Sequence, residues 1–386
     1  MKNVIPYGRQ SITEEDIKAV VDVLQSDFLT QGPQVELFEK QFSEFINCPY
    51  SVAVTNGTAA LHLAALALGV KPGDKVLCTA NSFVASANCV VYCGGDVEFV
   101  DIDPINFCID IKLVEEKIKA KPAGYYKGIV AVDFAGYPVD FEKLRNLADQ
   151  NKLWIIEDAC HALGGEFKNS KGEMHKCGSG KYADISVFSF HPVKHIATGE
   201  GGMITTQSKV LYEKLLLLRS HGITKTPEKM SKFDGGWYYE MQTLGFNYRI
   251  SDILCALGLS QLRRIKPNIQ RRQEIAKKYS QELKDVVTVP QVETDNHHAY
   301  HLYVIQTTKR DELYKILKEK NIFTQVHYIP IYQQPYYVQR YGEIHQPIAE
   351  AYYKKALSLP MYHSLSDTDQ NYVIDTIKGF FKSVCP

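Results

Sequence analysis

Seven short, almost uninterrupted apolar runs constrain the fold of this chain more than any other feature. They occupy 51–54, 75–78, 97–100, 128–133, 153–157, 184–190 and 203–206, and stretches of helical pattern fill most of the gaps, for example 58–68, 83–92 and 140–150. A strand with one wet face alternates apolar and polar residues, whereas a strand covered on both faces is apolar throughout. Runs of the second kind, with helices between them, predict an α/β protein with a mainly parallel sheet between helical layers. Ligands of such open sheets bind beyond the carboxyl ends of the strands. The residues that follow each run are therefore the first place to look for chemistry.

Other stretches set the organisation. Thr13-Glu14-Glu15-Asp16 reads as a capping box, and Ile17, Val20, Val21 and Leu24 then predict one apolar helix face. The stretch 225–242 is polar, aromatic and glycine-containing, which predicts a long surface loop. A helix is expected over 251–275. Beyond Pro290 the chain turns rich in Tyr and His, with short strands expected at 302–307 and 324–327. The pattern predicts a large α/β domain over 1–264 and a smaller α+β domain over 265–386, a division ordinary for this length.

Composition excludes several function classes. Forty-four basic residues balance 44 acidic ones, so no net field attracts nucleic acid or an anionic membrane. The start of the chain lacks the apolar segment of a signal peptide, and no run of 18 apolar residues occurs, so the expectation is a cytoplasmic protein with no membrane span. Nine cysteines, at 48, 78, 89, 93, 108, 160, 177, 255 and 385, contain no C-x-x-C pair. Reduced, mostly buried thiols are expected, and no metal site.

Chemistry concentrates after three of the runs. The run 153–157 leads into Asp158-Ala159-Cys160-His161, and the run 184–190 leads through His191-Pro192-Val193 to Lys194. A lysine past one strand and a carboxylate at the end of another suit pyridoxal phosphate: Lys194 as Schiff-base lysine and proton shuttle, Asp158 holding the pyridine nitrogen protonated. Burial lowers a lysine pKa toward neutrality and fits it for that role. Asp158 could instead cap the next helix, and His161 could pack on a cofactor ring or be a satisfied core histidine. Asn56-Gly57-Thr58 after the first run opens a helix, so Gly57 and Thr58 can cradle a phosphate, although an ordinary capped helix would look the same. Ser189 could add a hydroxyl to that phosphate. Phe83 could stack on a pyridine ring or simply be core. Gly199, Gly201 and Gly202 follow Lys194 and allow close backbone approach. Near the C-terminus, Tyr328 and neighbouring Tyr rings with His327 could meet a sugar or base, and Arg9 near the N-terminus, with Tyr7 close by, could reach a diphosphate.

In order along the chain, Leu29-Thr30-Gln31-Gly32-Pro33, Asn56-Gly57-Thr58-Ala59-Ala60-Leu61, Glu157-Asp158-Ala159-Cys160-His161-Ala162, 189–202 and Gly245-Phe246-Asn247-Tyr248-Arg249 resemble the DegT/DnrJ/EryC1/StrS family of sugar aminotransferases. The resemblance implies a fold type I, aspartate aminotransferase-like, pyridoxal phosphate-dependent transferase. It also implies a homodimer with shared active sites, Asn247 binding the cofactor phosphate of the other subunit and Arg249 beside it near substrate. Some relatives carry histidine in place of the lysine and dehydrate the sugar; this chain keeps Lys194, so transamination is expected. Ser189-Phe190-His191-Pro192-Val193-Lys194 and the segment 326–337 resemble the branch serving pseudaminic acid biosynthesis. That branch implies L-glutamate as donor, leaving as 2-oxoglutarate, and a UDP-linked 2-acetamido-2,6-dideoxy-hexos-4-ulose as acceptor. The product would be UDP-4-amino-4,6-dideoxy-N-acetyl-β-L-altrosamine. Other 3- or 4-aminotransferases of nucleotide sugars (bacillosamine- or perosamine-type), a sugar dehydratase, or a regulatory homologue without chemistry are the alternatives.

Overall fold

The structure is a computed structural model that describes residues 4–292 and 296–384, so Cys385 lies outside the described residues. Two helices, α1 (Glu14–Leu24) and α2 (Pro33–Ile46), precede the first strand, β1 (Tyr50–Val54). Helix and strand then alternate through α3 (Gly57–Ala67), β2 (Lys75–Thr79), α4 (Ala85–Tyr92), β3 (Asp96–Val100), α5 (Ile111–Lys119), β4 (Tyr126–Val132), α6 (Phe141–Gln150) and β5 (Trp154–Asp158). A short antiparallel pair, β6 (Glu166–Lys168) with β7 (Met174–Lys176), comes before β8 (Ile185–Ser189), β9 (Gly202–Thr206) and α7 (Lys209–Arg219).

The seven expected strands form one sheet, in the order β1-β9-β8-β5-β4-β2-β3. Neighbours from β3 to β8 pair in parallel, while β9 is antiparallel to both β8 and β1. All strands except β9 therefore point the same way. Val52, Val76, Leu77, Ile129, Val130, Ile155, Ile156, Ile185, Val187 and Ile204 are completely buried. Burying each such side chain contributes about 1.5–3 kcal/mol, and the β-branched shapes of the valines and isoleucines suit the pleated surface.

The remainder begins with a minimal pair, β10 (Ile223–Thr224), just before the expected surface loop, and β11 (Glu240–Met241), near the end of it. Helices α8 (Asp252–Arg263) and α9 (Ile265–Leu283) follow, then β12 (Tyr303–Gln306), α10 (Arg310–Glu319), α11 (Pro335–Tyr341), α12 (Pro347–Lys355), β13 (Ala356–Leu359) and α13 (Asp367–Val384). Strands β12 and β13 form a two-stranded antiparallel sheet, and α9, α10 and α13 close a second apolar core around Tyr279, Ile305, Leu317 and Ile377.

Three expectations are corrected. The helix expected over 251–275 is two helices, broken at Arg264 (φ −108°, ψ 14°). Pro267 explains the break: a continuous helix would drive its ring into the carbonyl of Arg263, four residues back. The segment 324–327 is not a strand; only Gln325 bridges to Ser358, and the next residues turn away, His327 bonding the Ser358 hydroxyl and Tyr328 N–H donating to Asn81. On α1 the capping box forms, but the expected inward face is turned outward, with Ile17 48% and Leu24 54% exposed. Asp16 and Val23 are buried instead, because Arg264 and Gln261 of the neighbouring segment draw the Asp16 carboxylate inward.

Candidate active site

Because β1, β5 and β8 run in the same direction, their carboxyl ends share one edge of the sheet. Asn56 and Gly57 follow β1, Asp158 ends β5, and Ser189 ends β8. They open onto a cavity of about 440 Å³. Tyr7, Gly57, Thr58, Phe83, Asp158, His161, Ser189, Lys194, His327 and Tyr328 all line it. Three other expected residues lie elsewhere in this single chain. Arg9 and Asn247 are exposed, Asn247 opposite Ser220 in an isolated bridge. Arg249 lines a separate, larger concavity of about 1560 Å³ together with Glu39 and Arg219.

One end of the cavity is built for an anion. The side chain of Asn56 accepts the N–H of Ala59 at 2.8 Å, and its carbonyl accepts that of Ala60. Gly57 and Thr58 are left with N–H groups that have no partner inside the helix, at the positive end of its dipole. A Cβ on Gly57 would lie 3.0 Å from Cβ of Ser189, so glycine lets the strand end and helix start approach more closely than a larger residue would without displacing Ser189. Gly202 does the same from the other side: a Cβ there would meet the Asn56 carbonyl oxygen at 2.6 Å.

The other end holds the ionisable groups. Asp158 is buried, with Oδ2 accepting from the Ser86 hydroxyl at 2.6 Å and Oδ1 from the Cys160 N–H at 3.2 Å. Ser82 stands 2.8 Å behind Ser86, so the carboxylate is aimed by a short chain of hydroxyls. Lys194 is partly buried, and its Nζ lies 3.3 Å from Nε2 of His301. Burial pulls the Lys194 pKa below the ordinary lysine value, and the Arg272 charge adds to this against the opposing pull of Cys160 and Asp158. Lowering it enlarges the fraction of free amine at neutral pH, the form that attacks a carbonyl or takes a proton.

His161 proves to be a bonded core histidine that also faces the cavity. Its Nδ1 accepts the Ala135 N–H at 3.2 Å; a backbone N–H can only donate, so Nε2 carries the proton and donates to the Tyr328 hydroxyl at 3.1 Å. The Tyr328 proton is thereby left for another acceptor. Burial, reinforced by the Lys194 charge, holds His161 well below the ordinary histidine pKa. Phe83 is not core: it is 55% exposed at the cavity mouth, 6.2 Å from the Tyr328 ring.

Sequence reasoning missed His301 and Ser86. His301 stood in a segment noted only for its Tyr and His content, and Ser86 inside an apolar helix; both reach the site across long sequence separations. The residues present fit pyridoxal phosphate: a low-dielectric lysine, a bonded carboxylate and an N-terminal helix cradle share one cavity. This fold and site define a pyridoxal phosphate-dependent transferase of fold type I.

The chain belongs to the DegT/DnrJ/EryC1/StrS aminotransferase family, which matches residues 10–378. It is a sugar aminotransferase. It is 37% identical to the spore coat polysaccharide biosynthesis protein SpsC of Bacillus subtilis, over 98% of this chain and 97% of that protein. The UDP-4-amino-4,6-dideoxy-N-acetyl-beta-L-altrosamine transaminase of Campylobacter jejuni is 36% identical, over 99% of this chain and 98% of its own. Among solved structures, Helicobacter pylori PseC, an aminotransferase involved in the biosynthesis of pseudoaminic acid, superposes with a TM-score of 0.89 at 32% identity, covering 99% and 100% of the two chains.

Proposed function

We propose that this protein transfers the amino group of L-glutamate to the C4 keto carbon of a UDP-linked 2-acetamido-2,6-dideoxy-hexos-4-ulose, giving UDP-4-amino-4,6-dideoxy-N-acetyl-β-L-altrosamine. The observation that carries the reaction type is the meeting of Lys194, Asp158 and the Gly57 cradle in one cavity. Support for the sugar is the similarity to the Campylobacter jejuni transaminase and to PseC. Pyridoxal phosphate, when bound, supplies the electron sink for the carbon that loses its proton.

The chain's own residues then have distinct tasks. Gly57, Thr58 and Ser189 hold the phosphate; Asp158, fixed by Ser86, accepts from the protonated ring nitrogen; His161 and Phe83 confine the ring. Lys194 Nζ takes the proton from the donor's α-carbon in the first half-reaction and delivers a proton to the C4 carbon of the acceptor sugar in the second. Tyr7, His327 and Tyr328 line the sugar side, the Tyr328 hydroxyl being available to donate. Arg9 and Arg249 reach the anionic part of a substrate from outside the single-chain cavity.

The active unit is a homodimer in which Asn247 binds the phosphate of the opposite subunit. Phe233, Trp237, Tyr239, Met241 and Leu244, all exposed just before Asn247, support this, since so many large apolar side chains in one loop are normally covered. The proposed division into a cofactor-binding part over 1–264 and a smaller part over 265–386 is supported by the helix break at Arg264. The cavity draws on both, with Tyr7 before the break and His301, His327 and Tyr328 after it.

The test is purified protein given pyridoxal phosphate, glutamate and a panel of UDP-, dTDP- and GDP-linked 3- and 4-keto sugars. The expected outcome is a visible absorption band that glutamate alone bleaches, and an amino sugar formed from the UDP-linked 4-keto substrate. Lys194→Ala should lose the band and all measurable turnover. Amination confined to a GDP-linked sugar would replace the substrate proposed here with a perosamine-type one, and full turnover in Lys194→Ala would end the mechanism.

A further inference from the structure

His301 is held with unusual firmness for a residue that does so little else. Among the described residues, its Nε2 is the one hydrogen-bond partner of the Lys194 amine, at 3.3 Å. Its other nitrogen, Nδ1, is buried without any hydrogen-bond partner. The ring packs against His161 (centroids 4.4 Å apart) and His195 (5.9 Å). A leucine or phenylalanine would fill this space without burying a bare nitrogen, so packing alone does not account for an imidazole here.

The backbone that presents the ring is fixed just as tightly. Tyr300 sits at φ 48°, in the left-handed region that bulky residues avoid. Stacking on His298 (4.0 Å, 5° between planes) and a hydrogen bond from its N–H to His298 Nδ1 keep it there. Behind it, Arg272 is 1% exposed and donates to the carbonyls of Tyr300, Met361 and His301. Among the described residues no carboxylate pairs with this guanidinium. Strained backbone held by several independent contacts is characteristic of a site whose side chain must point in one direction.

We propose that His301 is a positioning residue whose Nε2 accepts a hydrogen bond from the Lys194 amine, aiming that amine into the cavity and stabilising its protonated form; this rests on the reading of Lys194 as the Schiff-base lysine. No proton passes from Lys194 to His301, which remains a neutral acceptor. Its surroundings enforce this: burial, with the charges of Lys194 and Arg272 and the neighbouring His161 and His195, holds it well below the ordinary histidine pKa. Other groups facing the amine are Asp158, Cys160 and His161 from β5 and the turn after it, the neighbouring His195, Arg272 from α9, and His327. None of these is in hydrogen-bond contact with it, so removing His301 removes the contact while leaving the field of the others.

The experiment uses full-length protein stripped of pyridoxal phosphate. The rate at which acetic anhydride modifies Lys194, followed by the mass of its peptide, is measured against pH. His301→Phe and His301→Leu, neither of which can accept, should move the midpoint down by about one pH unit, an approximately tenfold loss of proton affinity. His301→Gln, whose amide oxygen can accept, should return the midpoint toward that of the unaltered protein. Equal midpoints in the unaltered protein and whichever of His301→Phe or His301→Leu folds would overturn the proposal. The reading beneath it is checked separately by the visible band of the unaltered protein with pyridoxal phosphate. If Lys194→Ala keeps that band, the reading of Lys194 fails; if Lys194→Ala loses it and the midpoints are equal, only the role of His301 fails.

Discussion

Gly57 shows how a single missing carbon can shape a site. Its neighbours leave 3.0 Å between the place of a Cβ and Ser189, with the Cys160 sulfur 3.5 Å away. Gly57→Val should push Ser189 out and narrow the cradle at the start of α3. Weakening of pyridoxal phosphate binding by at least about tenfold, or roughly 1.4 kcal/mol, is expected. Equilibrium titration of the stripped protein checks this. Unchanged affinity would place the phosphate away from α3. At the same scale, Lys194 and Asp158 drew notice as a pair, since a capping aspartate or a solvated lysine is ordinary by itself and only the combination beyond two strand ends points to a cofactor. His301 carried no comparable signal, since its meaning lies in a contact spanning 107 positions.

Among the elements, α1 and α8 illustrate a pair whose packing polarity reverses the hydrophobic pattern. The Asp16 carboxylate is buried on the inner side of α1 and held by Arg264, just past α8, with Thr13 capping the same turn. Burial alone would raise the Asp16 pKa, but the bonds from Arg264, Ser260 and the Thr13 backbone outweigh it and leave it lowered. A carboxyl whose pKa falls on folding adds stability above its unfolded pKa of about 3.9, and this is lost as pH falls through the lower folded value. Arg264→Met strands the carboxylate at neutral pH. The expected cost is about 3 kcal/mol, the low end for a broken buried pair because the guanidinium still touches water. Urea denaturation at pH 7 measures it; a loss below about 0.5 kcal/mol would mean the pair behaves as a surface bridge. The α8–α9 break has a local cause in Pro267, which the expectation of one helix over 251–275 did not take into account.

For the whole molecule, the exposed loop before Asn247 and the absence of Asn247 from the single-chain cavity belong together. If each site takes its lysine from one subunit and Asn247 from the other, two defective variants can repair each other. In a mixed dimer of Lys194→Ala with Asn247→Ala, one site carries both defects and the other neither. Random mixing makes half of the dimers mixed, so about a quarter of normal turnover should return when the variants are unfolded and refolded together. No recovery above the separate variants would show that each site is built from one chain. Among the described residues no helix is long and apolar enough to cross a membrane, in keeping with the balanced composition.

By itself the sequence determined the layered α/β architecture, the positions of the seven strands of the main sheet, and the lysine, carboxylate and glycines at the strand ends. Those are local matters: burial on both faces of a strand and the steric needs of a turn are recorded in consecutive residues. Only the tertiary structure decided which face of α1 is inside, that 324–327 turns away instead of pairing, and that Ser86 and His301 stand behind Asp158 and Lys194. These depend on which remote segments become neighbours. Proximity of that kind arises from the packing of the whole chain, and no local pattern of residues records it.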